Sequence, residues 1–199
     1  MKLYTSPTTP FGRKITVLLH EGGLLGQIEI VPVSGTALDV GSLPLAHNPL
    51  GKIPVLLLDD GTAIYDSRVI SRYLDDHFSL NLYPKGPELW PFLAREAAID
   101  GMIDAAVLMA YEMRLRPEEA RFAAWVEGQW AKVTRALDMF EKSPLGAKTT
   151  MLHLSLACAL GYLDFRHGPR HWRHGRPQLA LWYNDFAQRD SLMATMPVS

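Results

Sequence analysis

The stretch "NPLGKIPVLLLDDGTAIYDSRVISRYLDDHF", residues 48–78, changes period part-way along. From Ile53 to Tyr65, β-rich runs flank Asp59-Asp60-Gly61, a tight-turn tripeptide, and predict a hairpin. From Ser67 onward, apolar residues recur at Val69, Ile70, Tyr73 and Leu74, the spacing of one helix face. Pro54 heads a strand whose apolar run reads as central, yet proline cannot donate to a ladder. Two readings fit the residues equally. One is a cis bond that turns the Ile53 N–H and C=O outward, where an extended peptide could pair with them. The other is a proline that merely starts an edge strand.

Upstream, "KLYTS" predicts a strand and "GRKITVLLHEGGL" a helix with Ile15, Leu18 and Leu19 on one face, stopped by Gly22-Gly23. "IEIVPV" predicts a second strand, and a loose segment, "SGTALDVGSLPLAHNPLG", leads back to the hairpin. The order is β-α-β, then β-β-α. Downstream, "SLNLYPKGPELWP" is rich in turn formers, and beyond it only long helices are predicted, at roughly 88–114, 117–142, 150–165 and 177–189. The fold class is therefore α/β followed by all-α: residues 1–80, a linker at 81–87, and a helical domain at 88–199.

Bulk properties narrow the function. Twenty Lys and Arg balance 21 Asp and Glu in 199 residues, so no broad basic field for nucleic acid or an anionic membrane is expected. Apolar runs such as "VLLL" fall far short of the roughly 20 residues that span a bilayer. The N-terminus has no apolar signal core, and the single Cys158 cannot form an internal disulfide. A cytoplasmic protein is expected.

Two places could carry chemistry. "YTSPTTPFGRK", residues 4–14, offers hydroxyls at Thr5, Ser6, Thr8 and Thr9 at a strand-to-helix turn, with no Cys, His or carboxylate. On the residues alone Thr9 reads as a helix cap. "YDSR" places Asp66 and Ser67 where the hairpin ends and a helix begins. Helix-start N–H groups with a Ser hydroxyl suit a carboxylate, and the Asp66 carboxylate suits an ammonium; an ordinary N-cap is the alternative.

Together "TSPTTPFGRKITVLL", "NPLGKIPVLLLDDGTAIYDSRVISRYLDDHF" and "LACALGYLDFR" resemble the cytosolic glutathione S-transferases in their bacterial form, over essentially the whole chain. The resemblance implies a thioredoxin-like N-terminal domain and a helical C-terminal domain that forms the electrophile site and much of a homodimer seam. It implies glutathione as co-substrate, a small electrophile as partner, and no metal. Pro54 falls on the family's cis-proline, Ile53 on its backbone contact to the cysteinyl moiety, and Lys52 on its glycyl-carboxylate contact. Asp66 and Ser67 fall on its acidic-Ser pair for the γ-glutamyl end, with Asp where Glu is more frequent. Thr9-Pro10-Phe11 falls on Ser-Pro-Phe or Cys-Pro-Phe, which implies Thr9 as the catalytic hydroxyl and Phe11 beside the ligand. Ser6 and Thr8 are reserves, and Tyr4 is a fourth candidate. Asp104 would reach the glutathione of a partner subunit. The hydroxyl's task would be to stabilise a thiolate whose free pKa is about 8.5. Conjugation is the expected activity, with isomerase, dehalogenase or peroxidase chemistry, or non-catalytic glutathione binding, as alternatives.

In the helical half, Thr150 and His153 stand where the family carries Thr-x-x-Asp, a capping box in which a neutral imidazole must here accept the backbone N–H. Met102, Ala106, Val107, Met109, Ala110, Tyr111 and Met113 divide between core and an apolar pocket. "FRHGPRHWRHGRPQ" has no metal-ligand spacing and predicts a solvated loop over Trp172. Cys158, in an apolar helix, is expected to be inert.

Overall fold

The computed structural model describes residues 1–197 and divides into two units. The first comprises Met1–Pro84 together with the residues from Asp190 onward, although these follow the helical half in sequence. The second is Lys85–Arg189.

In the first unit, β1 (Lys2–Thr5), α1 (Pro10–Glu21) and β2 (Glu29–Pro32) form a β-α-β unit with β1 and β2 parallel. β3 (Val55–Leu57), β4 (Ala63–Ile64) and α2 (Ser67–His77) follow as a hairpin and helix. The sheet order is β2-β1-β3-β4, with β3 antiparallel to β1. This is the thioredoxin-like arrangement, with helices packed on a small mixed sheet. Gly61 closes the hairpin turn at φ +86, a conformation that costs glycine nothing. Leu3, Ile15, Leu18, Leu19, Val55, Leu56, Ile70 and Leu74 are fully buried and join both helices to the sheet.

In the second unit, α3 (Leu89–Leu115) packs against α4 (Ala123–Lys142) and α5 (Met151–His167), and α6 (Pro177–Phe186) against α4 and α5. α5 is buried from Met151 through Leu163, as befits a helix apolar on every side. The helix expected from about 117 starts only at Ala123. Before it lies only a 3₁₀ turn, Glu118–Ala120, flanked by the bonds of Arg121 to the Met113 carbonyl and of Phe122 N–H to the Glu112 carboxylate, both at 2.9 Å. The helix expected to reach 189 ends at Phe186, and a short α7 (Asp190–Ala194) follows.

α7 belongs to the first unit and is tied to α1. Arg13 Nη2 donates to Leu192 O at 2.9 Å and its Nε to Thr195 Oγ1 at 3.3 Å, while Ser191 bonds Glu21.

Candidate functional site

The register brings three segments to one end of the sheet. β1 ends at Thr5, antiparallel β3 starts at Val55 opposite Tyr4, and β4 runs into α2 from that same end. The turn 6–9, the Lys52–Pro54 segment and the α2 N-terminus therefore lie side by side.

Thr9 is the N-cap of α1, with extended backbone (φ −88, ψ 124) and Pro10 at the first helical position. Its hydroxyl makes no cap hydrogen bond. Its backbone N–H donates to Ser6 O at 3.2 Å, and its C=O accepts from Arg13 at 2.9 Å. Ser6 Oγ and Thr8 Oγ1 lie 3.3 Å apart and bond each other. Of the three candidate hydroxyls, only that of Thr9 has no hydrogen bond among the described residues. Phe11 is half-buried, and the Tyr4 ring rests 5.5 Å from that of His47.

The Ile53–Pro54 bond is cis. The β3 ladder starts only at Val55, so the Ile53 backbone lies outside it. Asn48, 2% exposed, fixes the approach: its Nδ2 donates to Lys52 O at 2.8 Å and its Oδ1 accepts from Leu50 N–H at 3.1 Å. The Lys52 side chain is exposed.

Asp66 is the N-cap of α2 and follows a second cis bond, Tyr65–Asp66. Its Oδ1 accepts the Arg68 N–H at 3.0 Å, and its Oδ2 pairs with Arg68 Nη2 at 2.8 Å. Burial raises the Asp66 carboxyl pKa, but the hydrogen bonds from Arg68 and the charges of Arg68 and Lys14 outweigh it and hold the group below the usual range. Ser67, 2% exposed, opens the helix, where its N–H has no intrahelical acceptor. Asp104 lies in the second unit, exposed on α3.

Residues 8–77 match the glutathione S-transferase N-terminal domain and residues 123–185 its C-terminal domain. The uncharacterized GST-like protein YibF of Escherichia coli K12 is 31% identical across 99% of this chain and 98% of its own. The chain belongs to the glutathione S-transferase family. A solved glutathione transferase family member from Pseudomonas fluorescens Pf-5, with bound glutathione, superposes at a TM-score of 0.96 with 42% identity, covering 100% of this chain and 99% of that one. A glutathione S-transferase from Methylobacillus flagellatus KT with glutathione bound gives 0.89 and 35% identity over 99% of each chain.

Four residues beside these candidates escaped the sequence reading. Lys14 is fully buried on α1, and its charge acts on Asp66. Arg68 holds the carboxylate expected for the ligand. Asn48 shapes the loop, and Gly12 admits Thr5 and Thr9 against the helix. The "RK" and "HN" dipeptides offered the only signals, and neither is distinctive.

Among the described residues no three of His, Cys, Asp and Glu group as metal ligands, and no helix is long and apolar enough to cross a membrane. The Arg/His loop is a clamp rather than a merely solvated loop. Arg170 pairs with Glu127 at 2.6 Å, Arg176 with Asp138 at 2.7 Å, and Arg173 with Asp164, which also accepts Trp172 Nε1–H at 2.8 Å. Trp172 is buried beneath it, as expected, and Cys158 is buried in α5. Met102, Ala106, Met109 and Ala110 are core, while Met113 is half exposed.

Proposed function

We propose that the protein is a cytoplasmic, homodimeric glutathione transferase that joins the glutathione sulfur to small apolar electrophiles, a detoxifying reaction. One observation carries this reading. Three recognition chemistries share one end of the sheet: an uncommitted hydroxyl at Thr9, a backbone free of the ladder at Ile53, and a helix N-terminus with Ser67 and Asp66.

The residues fit the tripeptide. The α2 N-terminus and Ser67 suit the γ-glutamyl carboxylate, and Asp66 suits its ammonium. Ile53, after Asn48 and before Pro54, pairs with the cysteinyl backbone as a strand would. Lys52, exposed, takes the glycyl carboxylate, and Phe11 lies beside the ligand. Asp104 serves the partner subunit's glutathione.

Glutathione supplies the nucleophilic sulfur, so the protein needs none of its own. Thr9 donates to that sulfur and, with the smaller contribution of the α1 dipole, favours its ionised form. The thiol proton leaves to solvent; a carbon–sulfur bond forms as the leaving group departs with its electron pair. A charge-assisted hydrogen bond of about 1.5–3 kcal/mol lowers a thiol pKa by about one to two units. Holding both reactants together supplies further acceleration.

Calorimetry with glutathione, and turnover of an aryl halide and of a hydroperoxide by wild type and Thr9→Ala, test the reading. Binding together with aryl-halide turnover that Thr9→Ala abolishes supports it. Hydroperoxide turnover alone selects peroxidase chemistry. Binding without any turnover leaves a non-catalytic module, and absence of binding overturns the assignment.

A further inference from the structure

Thr5, the last residue of β1, is 5% exposed, and its hydroxyl oxygen is buried without a hydrogen-bond partner. A buried hydroxyl left unmatched carries the full cost of its lost hydration. Such a group calls for a reason. Gly12, in the first turn of α1, faces it. A β-carbon at residue 12 would lie 1.9 Å from Thr5 Oγ1 and 2.6 Å from Thr9 Cγ2. The Thr5 hydroxyl and the Thr9 methyl therefore both reach into one notch, the space that a side chain at residue 12 would take. Of Thr9, the methyl and not the hydroxyl oxygen is among the three heavy atoms nearest that space, and the hydroxyl takes no cap bond.

Threonine carries both groups on one tetrahedral carbon and is stiff about χ1. Lodging the methyl therefore decides where the hydroxyl goes. We propose that Thr5 and Gly12 are positioning residues for Thr9: their notch takes its methyl group and so aims its hydroxyl at the sulfur of bound glutathione. The inference rests on the reading above, in which Thr9 is the donor to that sulfur.

Thr5 also defines the failure that the methyl prevents. A step of about 120° about χ1 would put the Thr9 oxygen where its methyl now lies. There it would pair with the orphaned Thr5 hydroxyl and be lost to the sulfur. Serine at residue 9 has no methyl to fill the notch, so its hydroxyl is free to turn in. The threonine is thus matched to Thr5 and Gly12, and the smaller side chain is the worse donor here.

The test reads the pKa of glutathione's thiol in the complex by ultraviolet titration, with calorimetry establishing that each variant binds it. Thr9→Ser is expected to raise the bound thiol pKa by about half a unit or more, a loss of part of one hydrogen bond. Thr5→Val, which fills the same space without a polar group, is expected to leave the wild-type value unchanged. In the Thr9→Ser background, Thr5→Val is expected to bring the value back toward wild type. A Thr9→Ser value equal to or below wild type overturns the inference, and so does a double variant that recovers nothing. A rise with Thr5→Val alone also overturns it, since the Thr5 hydroxyl would then act on the sulfur directly. If wild type binds glutathione without lowering its thiol pKa, or does not bind it, the proposed function itself fails and the inference falls with it.

Discussion

Nδ1 of His153 accepts the backbone N–H of Thr150 at 3.2 Å, while its Nε2 donates to Gly146 O at 2.8 Å. The two bonds fix a neutral Nε2–H imidazole as the acceptor that caps α5, the most buried helix of the second unit. Desolvation lowers the His153 pKa, the Gly146 bond opposes it, and the charges of Arg95 and Arg189 add to the lowering. The unfolded chain, at about 6.5, therefore binds the proton more readily than the folded one. Stability is complete above about pH 6.5 and falls as pH drops from there through the lower folded value. Between about pH 8 and about pH 5, wild type is expected to lose roughly 0.5–2 kcal/mol relative to His153→Asp, whose carboxylate keeps accepting. Buried His167, lowered by desolvation as well, contributes equally to both proteins. Melting curves whose difference does not change with pH would count against this.

Arg68 holds the Asp66 carboxylate through Nη2 at 2.8 Å, and both side chains are about half exposed. A ligand ammonium must compete with that guanidinium. Exposed pairs are worth at most about 1 kcal/mol. Arg68→Ala is accordingly expected to tighten glutathione binding by up to about fivefold. The backbone cap on α2 is retained in that variant. Asp66→Asn is expected to weaken binding roughly tenfold or more, as one charged partner is lost. Calorimetry reads both, and weaker binding by Arg68→Ala would refute the competition.

Leu192 is 2% exposed, and its carbonyl accepts from buried Arg13. α7 is therefore part of the first unit's core rather than a tail. Leu192→Ala is expected to destabilise the protein by about 2–5 kcal/mol in urea unfolding, the range for a buried leucine truncated to alanine. A loss under about 0.5 kcal/mol, ordinary for a surface change, would contradict it.

The first unit was legible because its periods are local. "DDG" between β-rich runs can hardly be anything but a hairpin, and Val69, Ile70, Tyr73 and Leu74 declare one helix face. The end of α6 was not legible, since nothing in "FAQRDSLM" distinguishes a helix that continues from one that stops and restarts against distant Arg13. At the site, the residues that the family resemblance singles out, Thr9, Ile53, Pro54, Asp66 and Ser67, sit in segments that meet at one end of the sheet. Those acting through three-dimensional proximity were missed. Lys14 is a helix cation until α1 packs on α2 and buries it, and Arg68 is a surface residue until it folds back on Asp66. Thr5 and Gly12 have meaning only as facing walls of one gap. Arg170 and Arg176 looked solvated because their acidic partners, Glu127 and Asp138, lie far away in sequence.

The account stands on Thr9 lowering the pKa of a bound thiol, and an ultraviolet titration of glutathione on wild type and on Thr9→Ala measures that directly. The predicted result is a wild-type value at least about one unit below the free thiol's 8.5 or so, rising by about a unit or more in Thr9→Ala. A bound thiol that titrates like the free one, or a Thr9→Ala protein indistinguishable from wild type, would contradict it.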